Sequence, residues 1–310
     1  MSETLQSLSR KITGAKDLES VVRTMKVLAA SSIGQYERAI RSLDDYYRAV
    51  EMGLSVYFRQ NAPENARVAP DEKEEFRNKK ILKEAEAAHA VNAVIFGSDQ
   101  GLVGQFNDAL TEFAMAGLSG FSGPKKIWAV GERIHASLEN AGLKPVGLFD
   151  VPGSVAAITQ LISRIIIECE TDRAGDEETS FYIFYNRPKH GAIYEHASAR
   201  ILPLDEAWRR DLLQKPWPTK KRPEVMRSSR SILLALVREY LFVVLFRACA
   251  ESLASENASR LAAMQRAEKN IDEMLEDLNR SFHRLRQSSI DEELFDVTSG
   301  FEALAGRRGK

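Results

Sequence analysis

LQSLSRKITGAKDLESVVRTMKVLAASSIGQYERAIRSLDDYYRAVEMGLSVY, residues 5–57, is the stretch whose reading decides the fold. It contains no proline, and its glycines are Gly14, Gly34 and Gly53. Apolar residues recur at alternating steps of three and four: Leu5, Leu8, Ile12, Ala15, Val22, Ala29, Ile33, Tyr36, Ile40, Leu43, Tyr47, Val50, Leu54 and Tyr57. That heptad-like seam is the pattern of a helix lying along another helix. Glu19 and Lys26 interrupt it, and the neighbouring stripe Leu18, Val21, Met25 and Leu28 is expected to take over there, making the supercoil irregular. A helix of about 55 residues is ~80 Å long at about 1.5 Å per residue, too long to wrap inside a compact domain.

The other chain end carries a matching pattern. From Glu224 the sequence reads as helix, with a seam at Met264, Ala267, Ile271, Met274, Leu278, Phe282 and Leu285 and no glycine before Gly300. Two such helices at opposite ends of one chain are expected to pair antiparallel, with the small residues Ala29, Ala30, Ser31 and Ser32 allowing close approach. Within this helix ILLALVREYLFVVLFRACA, residues 232–250, is long enough to suggest a membrane span. Arg238, Glu239 and Arg247 interrupt it, and ionised groups at that depth are costly in a bilayer. It therefore reads as a helix buried against protein, with its charges on one exposed edge.

Between the ends the period changes. Asn61, Pro63, Asn65 and Pro70 break the first helix, and residues 71–88 are a charged, solvated stretch with no assigned chemistry. VNAVIF (91–96), KKIWAV (125–130), PVGLFDV (145–151), TSFYIFYN (179–186) and IYEHASARILPL (193–204) read as strands. Helical stretches 108–118, 131–142 and 155–170 separate the first four, so the sheet is expected to be largely parallel. Pro216, Pro218 and Pro223 mark a linker. The expected organisation is α/β: a long antiparallel coiled coil of the N- and C-terminal helices with an inserted Rossmann-like α/β domain. Its parts are an N-terminal coiled-coil helix (1–60), a charged connecting insert (61–88), the α/β domain (89–208), a Pro-rich linker (209–223) and the C-terminal coiled-coil helix (224–310).

Composition narrows the function. The 310 residues have a net charge of -1 with 28% charged and 8% aromatic side chains, which argues against a nucleic-acid binder or a base-stacking platform. Cys169 and Cys249 are the only cysteines and lie far apart, which excludes a zinc ribbon or a CxxC redox site and fits small buried apolar groups in a reducing compartment. The N-terminus lacks the apolar core of a signal peptide. His89, His135, His190, His196 and His283 show no metal-ligand spacing, and neither GxSxG nor a Walker A sequence occurs. Gly97, Gly101 and Gly104 follow a strand and precede a helix, but their spacing is GxxxGxxG, not the dinucleotide pattern GxGxxG. The structural reading is a tight strand-to-helix turn.

Three stretches resemble the gamma subunit of F-type ATP synthases. KITGAKDLESVVRTMKVLAASSI (11–33) looks like that family's opening helix, including Met25-Lys26 and Ala29-Ala30. GSDQGLVGQFN (97–107) is similar to its Asp-x-Gly-Leu-x-Gly-x-x-Asn turn through Asp99, Gly101, Leu102, Gly104 and Asn107. ESLASENASRLAAM (251–264) and RQSSIDEELFDVTSGFEAL (286–304) look like its closing helix, matching at Arg286, Gln287, Ile290, Glu293, Leu294, Asp296, Ser299 and Gly300. Asp291 stands where the family usually has Thr and Phe301 where it has Ala; the segment at 60–80 is longer than usual, and the chloroplast form's cysteine pair is absent. These departures suggest a divergent bacterial-type branch without thiol regulation.

The resemblance implies a non-catalytic central rotor stalk that couples ion-driven rotation to ATP synthesis or hydrolysis, with no cofactor. It implies as partners the alpha and beta subunits, an epsilon-type subunit and the membrane c-ring, with no nucleic acid and no direct membrane insertion. It places the chain peripherally on the cytoplasmic face of the cell membrane. It also implies beta-subunit contacts at Arg286, Gln287, Met25, Lys26 and Glu293, a structural turn at Asp99, Gly101 and Gly104, and a C-terminal tip at Phe301 and Leu304 running in an apolar collar. Two other readings stay open on sequence: an α/β enzyme using the glycine turn for a nucleotide, and a coiled-coil tether with no rotary partner.

Overall fold

The computed structural model describes residues 4–60, 90–173, 179–189, 192–204, 206–217, 221 and 230–306, with the side chains of 170–173, 192, 206–207 and 300–306 outside the description. The 61–88 insert, His89, His190 and Pro218 and Pro223 of the linker also fall outside it. The chain divides into two units, residues 1–29 with 261–310, and residues 30–260.

Helix α1 spans Leu5–Gln60. Its start is fixed by a reciprocal cap: Ser7 N donates to Thr4 Oγ1 at 3.2 Å and Thr4 N donates to Ser7 Oγ at 3.2 Å. A hydroxyl thus stands where a capping box has Glu or Gln. In unit 30–260 the central elements are β1 (Val91–Phe96), α2 (Phe106–Ser119), β2 (Lys125–Val130), α3 (Glu132–Asn140), β3 (Gly147–Phe149), α4 (Val155–Arg173), β4 (Ser180–Lys189) and β5 (Ala192–Leu202). Helix α5 (Glu206–Gln214) then occupies part of the segment read from sequence as a linker, and α6 runs Arg230–Gly306. The end helices are unequal, 56 and 77 residues.

The sheet order is β3-β2-β1-β4-β5. Pairings up to β4 are parallel, and β5 returns antiparallel on the edge as the second arm of a hairpin. Strand alternation splits the core in two. Val94, Phe96, Trp128, Val130, Phe181 and Ile183 face α4 and the inner stretches of α1 and α6, meeting Ile158, Ile162, Val50, Leu54, Leu245 and Leu253. Val91, Ala93, Ile95, Ile127, Ala129 and Phe184 face α2 and α3, meeting Leu110, Ala114, Ile134 and Leu138. Burial on both faces is why VNAVIF reads as a nearly unbroken apolar run and not as an alternating one.

Helix pairing in this unit is antiparallel, since partners on α6 fall in number as those on α1 rise: Asp44 with Arg247, Tyr46 with Glu239, and Gly53 against Leu236. The 232–250 run packs as expected. Tyr240, Leu241, Val243, Leu245, Phe246, Ala248, Cys249 and Ala250 are buried while Arg238, Glu239 and Arg247 are exposed. Among the described residues, no helix is long and apolar enough to cross a membrane. Cys169 and Cys249 are both buried free thiols.

The structure corrects the seam in three places. Leu18, Val21 and Leu28 are exposed, 57%, 55% and 62%, so their stripe does not take over from the first one. Instead the seam persists through Ala15, Val22 and Ala29, and tolerates Lys26 because Lys26 finds an acidic partner across the helix pair. On α6 the seam uses half-buried Leu275, while Met274 is 49% exposed. Of the small residues, Ala29 is buried and Ser32 half-buried, but Ala30 and Ser31 face outward.

Candidate partner-contact surface

The carboxyl ends of β1 and β4 deserve the first look in any α/β sheet of this order. The connection from β1 leads one way, that into β4 comes from the other, and ligands bind in the crevice between. Here α6 lies across it. Ser252 Oγ donates to Phe96 O at 2.9 Å, Ser255 Oγ to Asn186 O at 3.2 Å, and Ser259 Oγ to Val103 O at 2.6 Å. All three serines are buried. The motif ESLASENASR is thus a row of small donors that lets a helix sit directly on strand ends and satisfies their carbonyls. Glu256 and Arg260 on the same stretch pair at 2.5 Å, and burial pushes the Glu256 carboxyl above its usual range.

The glycine turn at β1 serves the same packing. A Cβ on Gly97 would come within 2.2 Å of Ile134 Cβ, and one on Gly131 (φ 115°) within 2.6 Å of the Ser98 carbonyl. Gly131 is also the N-cap of α3, where a Ser or Asp would ordinarily supply the cap. Since no side chain fits, Asp99 provides it from the neighbouring loop: its Oδ1 accepts from Glu132 N at 2.9 Å and its Oδ2 from Val151 N at 3.0 Å. One carboxylate thereby joins the loops after β1, β2 and β3. Asn107 adds a second tie, accepting from Ser98 N at 3.0 Å and donating to Ser98 Oγ at 2.9 Å. Gly104 holds φ 62°, the left-handed region, whereas a Cβ on Gly101 would meet only the tip of Arg133 at 3.7 Å. Among the residues singled out in the turn, Asp99 and Gly104 have a visible structural reason and Gly97 has the strongest; Gly101 has none.

In the unit made of 1–29 and 261–310, the outer surface of the helix pair is uneven. One flank of α1 carries the exposed Leu18, Val21 and Leu28, with Met25 half-buried beside them. The other flank is a ladder of charge. Glu19 Oε1 is 2.6 Å from Arg23 Nη2, Arg23 Nε is 3.9 Å from Glu268 Oε1, and Lys26 Nζ is 2.5 Å from Glu268 Oε2. Further along α6, Arg286 and Gln287 are exposed beside half-buried Leu285 and Ser289. Residues 290–299 that have described side chains are all exposed, among them Ile290, Leu294, Phe295 and Val297 at 52%, 64%, 71% and 70%, with Glu293 between them. Phe301 and Leu304 lie in the last turns of α6, with side chains outside the described residues.

The sequence-selected residues therefore do not converge on one site. Asp99, Gly101 and Gly104 belong to the strand ends, and Met25, Lys26, Arg286, Gln287 and Glu293 to helix surfaces. Glu268 and the exposed Leu18 stripe were missed as surface features; the stripe's helical spacing was visible, but not which way it faces. Among the described residues no group of three or more His, Cys, Asp or Glu is placed to hold a metal ion.

A family model described as ATP synthase matches residues 4–304. The ATP synthase gamma chain of Syntrophus aciditrophicus (strain SB) is 27% identical, covering 97% of this chain and 98% of its own length. That of Dechloromonas aromatica (strain RCB) is 25% identical, covering 96% and 99%. Among solved structures, a chain of the Euglena gracilis mitochondrial ATP synthase rotor superposes with a TM-score of 0.62 at 16% identity, over 92% of this chain and 98% of that one. A second chain, from the OSCP/F1/c-ring assembly of the same enzyme, gives 0.58 at 15% identity over 99% and 96%.

Proposed function

We propose a contact mechanism for this chain, which belongs to the ATP synthase gamma family and is the non-catalytic central rotor stalk of that complex. On this reading its partners are the alpha and beta subunits, an epsilon-type subunit and the membrane c-ring, and it works peripherally on the cytoplasmic face of the cell membrane. Segments 1–60 and 224–310 serve as the rotor helices and 89–208 as the α/β domain, with 61–88 and 209–223 connecting them.

The observation that carries the mechanism is the unevenness of the helix pair. A rotor that offered every catalytic subunit the same face would bind each conformation alike and shift nothing. This one offers exposed Leu18, Val21 and Leu28 on one flank and the Glu19–Arg23–Glu268–Lys26 ladder on another. As it turns, a subunit meets an apolar and then a charged surface, and its conformational equilibrium follows. Met25 belongs to the apolar flank and Lys26 to the charged one, on either side of the seam. Arg286 is a forked donor for a carboxylate of the beta subunit, with Gln287 and Glu293 close by on the same helix. Exposed Ile290, Leu294 and Val297, continuing toward Phe301 and Leu304, suit an apolar collar, since isolated chains rarely leave such a run uncovered.

The α/β domain contributes rigidity and not chemistry. Ser252, Ser255 and Ser259 of α6 occupy the crevice at the ends of β1 and β4 and pair with the carbonyls of Phe96, Asn186 and Val103. The test is co-purification: a tagged chain expressed in its own cell should bring down the ATP synthase alpha and beta subunits. Recovery without them, together with tight nucleotide binding by calorimetry, would favour the enzyme reading instead.

A further inference from the structure

Glu268 is where the cationic side chains of the charged flank converge. Lys26 Nζ contacts its Oε2 at 2.5 Å, and Arg23 Nε lies 3.9 Å from its Oε1. Lys26 and Glu268 are 242 positions apart, so helix pairing creates this contact and neither helix could make it alone. The side chains are 30% and 20% exposed, against 63% for Arg23. Lys26 is thus held but reachable, while Arg23 is shared between Glu19 and Glu268. An ammonium is a compact point charge with three rotatable donors and no preferred fork. A second carboxylate arriving from outside competes with Glu268 for the same three protons, and it is repelled by Glu268 while it does so.

Resting on the reading that Lys26 meets the beta subunit, we infer that Glu268 is a built-in competitor for that contact. It holds Lys26 when the subunit facing the flank presents no carboxylate, and yields it when an acidic segment of the beta subunit comes within reach. The exchange spares Lys26 an unpaired state between contacts, and the repulsion from Glu268 keeps the outside contact weak enough to break. A rotor contact must form and release at every turn, so a moderate contact serves better than a strong one. The partner chemistry is specific: an acidic side chain on the beta subunit, not an apolar or basic one.

Carbodiimide cross-linking, which joins an ammonium to a carboxylate in direct contact, tests this on the reconstituted complex of this chain with its alpha and beta subunits. The isolated chain should give the Lys26–Glu268 cross-link. In the complex, Glu268→Gln should raise the Lys26–beta cross-link by about two- to fivefold over wild type, the range that losing a partly exposed rival ion pair allows. Glu268→Ser serves the same purpose if the Gln variant assembles poorly. A Lys26–beta yield unchanged by both variants would overturn the competition while leaving the Lys26 contact standing. No Lys26–beta product in any variant, with the Lys26–Glu268 product intact, would overturn the contact reading itself and the competition with it.

Discussion

Ser259 Oγ donates a 2.6 Å hydrogen bond to the carbonyl of Val103, joining positions 156 apart in sequence and fixing α6 to the turn that follows β1. Ser259 is 6% exposed and Val103 2%, so water has no ready access to that carbonyl. Ser259→Ala leaves it unpaired at a cost of about 1–3 kcal/mol. Urea unfolding of the isolated chain should show a lower midpoint at unchanged slope; Ser281→Ala, on the exposed side of α6, should leave the midpoint in place.

Two glycines of the same turn should behave differently. Gly97→Ala forces a methyl to within 2.2 Å of Ile134 Cβ and 2.8 Å of Asn107 Oδ1, and should cost about 2 kcal/mol or more through overpacking. Gly101→Ala meets only the Arg133 guanidinium at 3.7 Å and should stay within about 0.5 kcal/mol of wild type. Thermal melting of both variants decides; equal losses would mean the turn is constrained by something other than these contacts.

His196 should make stability depend on pH near neutrality. Its Nδ1 donates to Asn186 Oδ1 at 2.7 Å, and its ring stacks on Phe113 at 5.5 Å and meets Tyr194 at 5.7 Å. Burial among these groups lowers its pKa below the ordinary 6.5. The unfolded state therefore binds the proton more readily, and stability is full above about pH 6.5 and lost as pH falls toward the folded value. Melting temperatures of wild type and His196→Gln should diverge in their pH dependence between pH 7.5 and 5 (about the titration range of an imidazole). Parallel curves would remove His196 as the cause.

Contact residues on the helix pair should matter to the complex and not to the fold. Arg286→Ala with Gln287→Ala, and separately Val21→Ser with Leu28→Ser, alter exposed side chains and should shift the isolated chain's stability by no more than about 0.5 kcal/mol each. In the reconstituted complex each double variant should lower ATP-driven torque or coupling. Wild-type torque and ATPase rates would argue against these surfaces as contacts.

Much of the fold was legible because burial imposes a period. Leu8, Ala15, Ala29, Tyr36, Val50 and Leu54, all seam positions, are all buried, and the proposed strands appear where short apolar runs stand between helices. What failed was choosing between adjacent stripes. Leu18, Val21 and Leu28 are as apolar as Val22 and Ala29, and only the partner helix determines which set is covered. Met274 and Leu275 differ by one position and the same ambiguity applies. Contacts between distant segments were the other blind spot. The Lys26–Glu268 pair, the serine bonds from α6 and the cap that Asp99 lends to α3 each join segments whose proximity follows from the fold and from no local pattern. The direction of β5 was left open, since a hairpin arm and a crossover strand share one alternation, and helix α5 was missed because three prolines outweighed the helical EAWRRDLLQ before them.

The central claim, that this chain turns within the complex, is tested most directly by attaching a bead to it. Cys169 and Cys249 are buried, so Lys144→Cys, at an exposed position of the α/β domain, accepts the label selectively. In the complex immobilised through its beta subunits, the bead should rotate in one direction on addition of ATP, at a rate that follows hydrolysis. A bead that stays fixed, or wanders without direction, while the same complexes hydrolyse ATP at full rate would contradict the account.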